Sequence, residues 1–240
     1  MRARLRYTKL GKIRFTSHRD LARMWERAFR RINLPLAYSQ GFSPRPKVSF
    51  GLALPTGHES VAEYLDVDLD PDKAAGTDID LLPARLTPAL PVGVDVLAAA
   101  ALDDHAPSLQ HEVTSCTWEI VCHPGSAGEL TELVARALAA ESLVVTRERK
   151  GQEVTDDLRP ALLSVDVLGP VEGGVLLTAE LATQPRGVRP AELLRALAPG
   201  LEEISARRTH QWIQRDGARD EPLVLDAPDA PHALLVERVS

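Results

Sequence analysis

The sequence predicts an α+β fold of antiparallel sheets with their helices on one face. Three observations predict it. The apolar period switches repeatedly between two and about 3.6 along the 240 residues. The switches run strand–helix–strand–strand–helix–strand through residues 1–102, and the same order recurs through 113–215. Between them, residues 103–112 are polar, hold one proline and read as a linker. That order is the split βαβ of ferredoxin-like domains, so two tandem ferredoxin-like modules are expected.

Residues 2–16 read as a strand or hairpin. Arg4, Arg6 and Thr8 alternate with Leu5, Tyr7 and Lys9; Gly11-Lys12 turns the chain, and Ile13, Arg14 and Phe15 resume the alternation. Ser17 then opens a helix, because Ser17-His18-Arg19-Asp20 has the spacing of a capping box. Leu21, Met24, Trp25, Ala28, Phe29 and Ile32 make a complete apolar stripe, which requires Trp25 and Phe29 to be buried. Asn33 is the C-cap residue and Pro35 blocks continuation. Residues 34–38 read as a short strand, 39–47 as a loop built on Gly41, Pro44 and Pro46, and 48–54 as a strand. Residues 62–69 alternate as a half-exposed strand; 78–90 carry a helical pattern interrupted by Pro83 and Pro88; 94–101 close the module.

The second module repeats the plan. Residues 115–122 read as a strand, and 126–140 as a helix with Leu130, Leu133, Val134, Ala137 and Leu138 on one face. Residues 143–149 and 152–154 pair as a hairpin across Lys150-Gly151. Two alternating strands follow at 161–168 and 174–183. A helix begins with Pro190 at its favoured first position, and 206–214 form the last strand. Residues 216–240 are acidic, hold three prolines and are expected to be largely disordered.

Charge is segregated along the chain. Thirteen of the first fifty residues are Lys or Arg against two acids, whereas the other 190 hold fifteen bases and thirty-two acids. A local excess of +11 in a chain of net charge −6 points to an anionic partner for the first segment, and nucleic acid is the commonest. No apolar stretch approaches the ~20 residues of a membrane span, and the N-terminus lacks the apolar core of a signal peptide, so a cytoplasmic protein is expected. Cys116 and Cys122, the only cysteines, flank a strand. Six residues of strand hold their thiols roughly 20 Å apart, too far to bridge or to share a metal. No cofactor and no metal is expected, and two cysteines cannot carry an iron–sulfur cluster alone.

Three clusters are candidates for anion binding. On the first helix Arg19, Arg23, Arg27 and Arg31 recur every fourth residue as a slowly turning ridge, with Arg30 beside it and Glu26 able to pair with Arg30. The alternative is a solvated face packed against acidic surface. The loop from Tyr38 to Lys47 combines two aromatics, Tyr38 and Phe42, with Gln40, Arg45, Lys47 and two stiffening prolines. Rings that stack on bases beside cations that hold phosphates are what an RNA site needs; the alternative is that the rings anchor the core. A third cluster is Arg186 and Arg189 with Arg207-Arg208. The first two sit at a helix start, where an anion would relieve their conflict with the dipole. His18, beside Ser17 and the ridge, is the one weak catalytic candidate, as a general acid–base. Metalloprotease, nucleophile-elbow and phosphate-loop motifs are all missing from the sequence.

The run Tyr7-Thr8-Lys9-Leu10-Gly11-Lys12-Ile13-Arg14-Phe15-Thr16-Ser17-His18-Arg19-Asp20, with Arg27-Ala28-Phe29-Arg30-Arg31 and Leu34-Pro35-Leu36-Ala37-Tyr38-Ser39-Gln40-Gly41-Phe42-Ser43-Pro44-Arg45-Pro46-Lys47, resembles the bacterial radical-SAM-linked protein family. That family is a domain of unknown function found beside, or fused to the C-terminus of, a cobalamin-binding radical SAM protein. The resemblance is dense over residues 3–70 and looser around Asp157-Leu158-Arg159-Pro160 and Arg189-Pro190. The chain departs from it at Ser43 and Arg45, where the family commonly has Asn and His. The resemblance implies a radical SAM partner and brings no catalytic residues.

The expectation is therefore a non-catalytic accessory protein that binds structured RNA (tRNA or rRNA, not DNA) and presents it to a radical SAM enzyme. One alternative is a metal-independent RNA endonuclease of the tandem ferredoxin-like type, though residues 190–220 hold only Gly200 and Gly217 where such enzymes have a Gly-rich segment. The other is a protein-interaction subunit that binds no RNA.

Overall fold

The computed structural model describes residues 1–103, 106–149, 151–215 and 217–223. It is a mixed α/β structure of mostly antiparallel sheet. The chain divides into two compact units, one of Met1–Glu112 with the described residues from Gln214 onward, the other of Val113–Ile213.

The first unit runs β1 (Arg2–Lys9), α1 (His18–Arg31), β2 (Val48–Phe50), β3 (Glu59–Asp68), α2 (Leu82–Leu86), β4 (Val96–Leu102) and a single turn, α3 (Leu109–Glu112). Strand β1 lies between β3 and β4, β2 pairs with β3, and every pairing is antiparallel, giving the order β4-β1-β3-β2. The odd residues of β1, Ala3, Leu5 and Tyr7, join Leu65, Val67 and Leu69 beneath Leu21, Trp25, Phe29, Leu82 and Leu86. Trp25 and Phe29 are fully buried, and Tyr7 meets Trp25 edge-on at 4.9 Å.

The even residues of β1 turn to the opposite face, where the antiparallel register sets Arg2 against Asp68, Arg4 against Asp66 and Arg6 against Tyr64. Each rung makes a polar or cation–ring contact. Arg2 Nε donates to Asp68 at 2.8 Å; Arg4 donates to both Asp66 oxygens at 2.8 and 3.0 Å; Arg6 lies 5.7 Å from the Tyr64 ring centroid. Glu112 adds a second carboxylate to Arg4 at 3.2 Å, and Glu221 pairs with Arg6 at 2.6 Å. Burial alone would lower the Arg4 pKa; the bonds and charges of Asp66 and Glu112 outweigh it and hold the guanidinium above its ordinary value. Ala62, Tyr64 and Leu109 complete this face as a small apolar cluster, with Leu223 packed against it.

The second unit runs β5 (Val113–His123), α4 (Ala127–Ala139), β6 (Val144–Arg149), β7 (Gln152–Asp157), β8 (Leu162–Val171), β9 (Gly174–Ala182), α5 (Pro190–Leu197) and β10 (Glu202–Arg215). Its sheet has the order β10-β5-β9-β8, again antiparallel throughout, while β6 and β7 form a separate hairpin. Ser126 and Glu129 close a capping box on α4. At its other end Arg159 donates to the carbonyls of Leu138 and Ala140, so this arginine of the Asp-Leu-Arg-Pro run terminates a helix. Cys116 and Cys122 are buried thiols that form no disulfide, and burial pushes Cys122 up.

Five expectations are corrected. Residues 11–15 form a 3-10 turn, not a strand, because Leu10 bonds to Gly93 and the chain then folds over toward α1. Residues 34–38 make only the isolated bridges Leu36–Leu69 and Tyr38–Pro46. Strand β3 is buried on both faces instead of half-exposed, because its polar face meets the arginines of β1 and is covered by Leu109 and Leu223. The end of the expected linker 103–112 is no free connection: α3 buries Leu109 and delivers Glu112 to Arg4. Finally, part of the acidic tail is ordered. Residues 218–220 form β11 (Ala218–Asp220), and Glu221 and Leu223 return to the first unit. The rest of that tail, 224–240, lies outside the described residues.

Candidate functional site

Helix α1 is fixed at both ends by its own sequence. Ser17 accepts from the Asp20 N–H at 3.2 Å and donates to the Asp20 carboxylate at 2.8 Å. At the C-terminus Asn33 takes a left-handed φ of 52°, and the N–H groups of Asn33 and Leu34 return to the carbonyls of Arg30 and Phe29. These are the two bonds of a Schellman motif. Arg85 donates to the freed Ile32 carbonyl at 2.7 Å. With Leu21, Trp25 and Phe29 in the core, the arginines project outward.

The loop after α1 closes on itself. Tyr38 and Pro46 form an antiparallel bridge; the Ser39 N–H donates to the Arg45 carbonyl at 2.8 Å, and the Arg45 N–H donates to Ser39 Oγ at 3.1 Å. Residues 40–44 are the exposed tip, with Gly41 at φ 128°, a conformation that L side chains rarely adopt. Phe42 is fully exposed at this tip and Tyr38 is 46% exposed, so neither anchors the core.

Helix and loop are the two walls of a groove of about 520 Å³. Arg19, Arg23, Glu26 and Arg30 line it from α1, and Tyr38, Pro44, Arg45 and Pro46 from the loop. The structure thus brings together Arg19, Arg23, Tyr38 and Arg45 from the expected site. It does not bring in Arg27, Arg31, Gln40, Phe42 or Lys47, all of which are exposed outside the groove lining. The reason is helical drift. A four-residue step advances about 40° around the axis, so Arg27 stands at about 80° and Arg31 at about 120° from Arg19, whereas Arg30 returns to about 20°. Arg30 and Glu26 are the groove residues that a four-residue ridge overlooks; a helical projection of the same sequence finds them.

The local charge is largely uncompensated. Arg23 pairs with Asp20 at 3.3 Å, both being more than half exposed. Arg19, Arg30 and Arg45 make no ion pair among the described residues, and neither does Glu26. By contrast Arg2, Arg4, Arg6 and Arg14 are held by carboxylates of the same unit. The excess read along the first fifty residues is therefore partly internal pairing, and what remains is concentrated on α1 and its loop.

Arg186 is held by carboxylates of its own unit. It is paired to Asp156 at 2.8 Å and to Glu192 at 3.0 Å, so the anion at the start of α5 is the chain's own Glu192, which also accepts from the Arg189 N–H. The Arg189 side chain stays exposed. Arg208 is buried, 5.5 Å from the Trp118 ring centroid. His18 stands edge-on to Phe50 at 5.0 Å, beside a space no larger than one water that Lys9, Glu63 and Tyr64 also line; it does not line the groove. Lys9 donates to the Arg14 and Thr16 carbonyls and pins the 3-10 turn to the start of α1. Among the described residues no group of three His, Cys, Asp or Glu could hold a metal ion, and no helix is long and apolar enough to cross a membrane.

These features define a two-unit antiparallel α/β protein with one basic, aromatic-edged groove. The chain belongs to the family described as "Uncharacterized protein conserved in bacteria (DUF2344)", whose model matches residues 2–190. No curated protein matches it in sequence. Among solved structures it is similar to a chain of the "Crystal Structure of a Cbf5-Nop10-Gar1 Complex", with a TM-score of 0.48 and 11% identity over 87% of this chain and 48% of that one. It is also similar to a chain of the "Structure of H/ACA RNP bound to a substrate RNA containing 2'-deoxyuridine", with a TM-score of 0.43 and 12% identity over 90% and 47%. The chain spans about half the length of each.

Proposed function

We propose that this protein is a non-catalytic RNA-binding accessory subunit whose groove between α1 and the 38–47 loop holds structured RNA, tRNA or rRNA, for a radical SAM enzyme. One observation carries the RNA reading. Three guanidinium groups without ion pairs among the described residues, Arg19, Arg30 and Arg45, line one groove with Arg23 and the half-exposed Tyr38 ring. Phosphate recognition needs the cations, and base recognition needs the ring. Arg27, Arg31, Lys47, Gln40 and Phe42 stand exposed outside the groove lining, with Gln40 and Phe42 at the tip of the loop that forms one wall. The radical SAM partnership rests on the family resemblance of residues 3–70, and on a chain whose two cysteines cannot supply cluster ligands. Each unit is read as a ferredoxin-like module. Its support is the strand order, fourth–first–third–second in both units, with a helix between the first two strands and between the last two.

The test is a titration of purified protein with bacterial tRNA and rRNA fragments across a salt series, with the RNA run on a gel afterwards. Salt-dependent binding with intact RNA is the expected result. Cleaved RNA would install the endonuclease reading, and no binding at low salt would leave a protein-interaction subunit.

A further inference from the structure

Glu26 is the groove's odd member. A carboxylate among four guanidinium groups weakens phosphate binding, yet it lines the groove and forms no ion pair within 4.0 Å among the described residues, not even with Arg30 one turn on. The half-buried Glu26 side chain therefore keeps its acceptor oxygens for something other than helix support. Resting on the RNA reading above, we infer that the groove admits one unpaired nucleotide and that Glu26 reads its base, favouring guanine.

Size, arrangement and hydrogen-bond chemistry point the same way. The first is size: about 520 Å³ lies in the range of roughly 300–1,000 Å³ that encloses small ligands, and a duplex surface would only bridge the rim. The second is arrangement. Arg23 and Arg30 are about 10 Å apart along the axis of α1, with Glu26 between them, so their long side chains can converge on the phosphates either side of one base while the base edge faces the carboxylate. Tyr38 on the opposite wall supplies a stacking face, and Pro44 and Pro46 stiffen that wall. The third is hydrogen-bond chemistry. An ionised carboxylate only accepts. The Watson–Crick edge of guanine offers N1–H and N2–H side by side, and one carboxylate takes both. Cytosine and adenine offer a single amino group, and uracil places its one N–H between two carbonyl oxygens that a carboxylate repels.

The probes are end-labelled uridine hexamers carrying one central guanosine, cytidine or adenosine, or none, measured by fluorescence anisotropy at low salt with wild type and Glu26→Gln. Guanosine should improve wild-type affinity over the all-uridine hexamer by on the order of tenfold, the size of a bidentate base contact. Glutamine keeps the shape but both donates and accepts, so the preference should fall to within about twofold, while all-uridine binding holds or tightens because a negative charge has gone. Equal wild-type affinity for all four hexamers, or a guanosine preference that survives Glu26→Gln, overturns the inference and leaves the RNA reading standing. If structured RNA binds and no hexamer does, the single-nucleotide inference alone falls. If neither binds, the RNA reading falls and this inference falls with it.

Discussion

The groove predicts a salt dependence that depends on which arginines are removed. Consider Arg19→Gln/Arg23→Gln/Arg30→Gln against the charge-matched Arg27→Gln/Arg31→Gln/Lys47→Gln. All six side chains are exposed, and the one ion pair lost, Arg23 with Asp20, lies on the surface and is worth at most about 1 kcal/mol, so both variants should fold. Each phosphate contact with single-stranded RNA contributes about 0.7 to the slope of log affinity against log salt. Three lost contacts reduce the slope by up to about 2. Between 50 and 200 mM salt, wild-type affinity should then fall roughly fifteen- to twentyfold more than that of the groove variant. The off-groove variant should keep most of the wild-type slope, because drift around α1 carries Arg27 and Arg31 away from the groove. Anisotropy titrations of a labelled tRNA fragment at four salt concentrations measure both slopes. Equal slope losses in the two variants would mean that RNA sees a diffuse basic face; an unchanged slope in the groove variant would refute the site outright.

Other consequences can be checked separately. Phe42→Ala should leave the melting temperature within about 1 °C, because the ring is fully exposed, and should weaken binding of looped RNA about tenfold if it stacks, sparing uniform duplex RNA; equal losses on both RNAs would remove it from the surface that reads bases. Arg4→Met should cost about 3–5 kcal/mol in urea unfolding, because it leaves the 4%-exposed Asp66 carboxylate uncompensated, and Arg4→Met/Asp66→Asn should recover part of that; a loss under about 1 kcal/mol would show that the rung carries no structural weight. The Asp156 carboxyl is held below its ordinary value by the Arg147 hydrogen bond and then by the Arg186 and Arg147 charges. Its contribution is present above the unfolded pKa of about 3.9 and is lost as pH falls through the lower folded value. Asp156→Asn should therefore lose less stability than wild type between pH 6 and pH 3, and parallel urea midpoints across that range would contradict the assignment.

The elements legible in the sequence are those whose causes are local. Helix α1 needs only Ser17, the stripe from Leu21 to Phe29, and Asn33, all within one stretch of chain, and α5 begins where Pro190 sets φ. The repeated element order is likewise a matter of period and punctuation. The groove was half legible: a four-residue repeat finds Arg19 and Arg23, but 3.6 residues per turn hands the third place to Arg30.

By itself the sequence determined the periods, the caps, the turn residues and a surplus of positive charge near one end. Tertiary structure decided which of those charges are free. Arg2, Arg4 and Arg6 look from the sequence like the start of a basic surface, yet strand register sets them opposite Asp68, Asp66 and Tyr64, some sixty residues away. Glu112 and Glu221 reach Arg4 and Arg6 only because the chain returns from a stretch that reads as linker and from one that reads as tail. Arg186 is claimed in the same way by Asp156 and Glu192. A charge is neutralised by what lies within a few ångströms of it, and for a strand residue that neighbour is chosen by register across the sheet, which no local window of sequence contains.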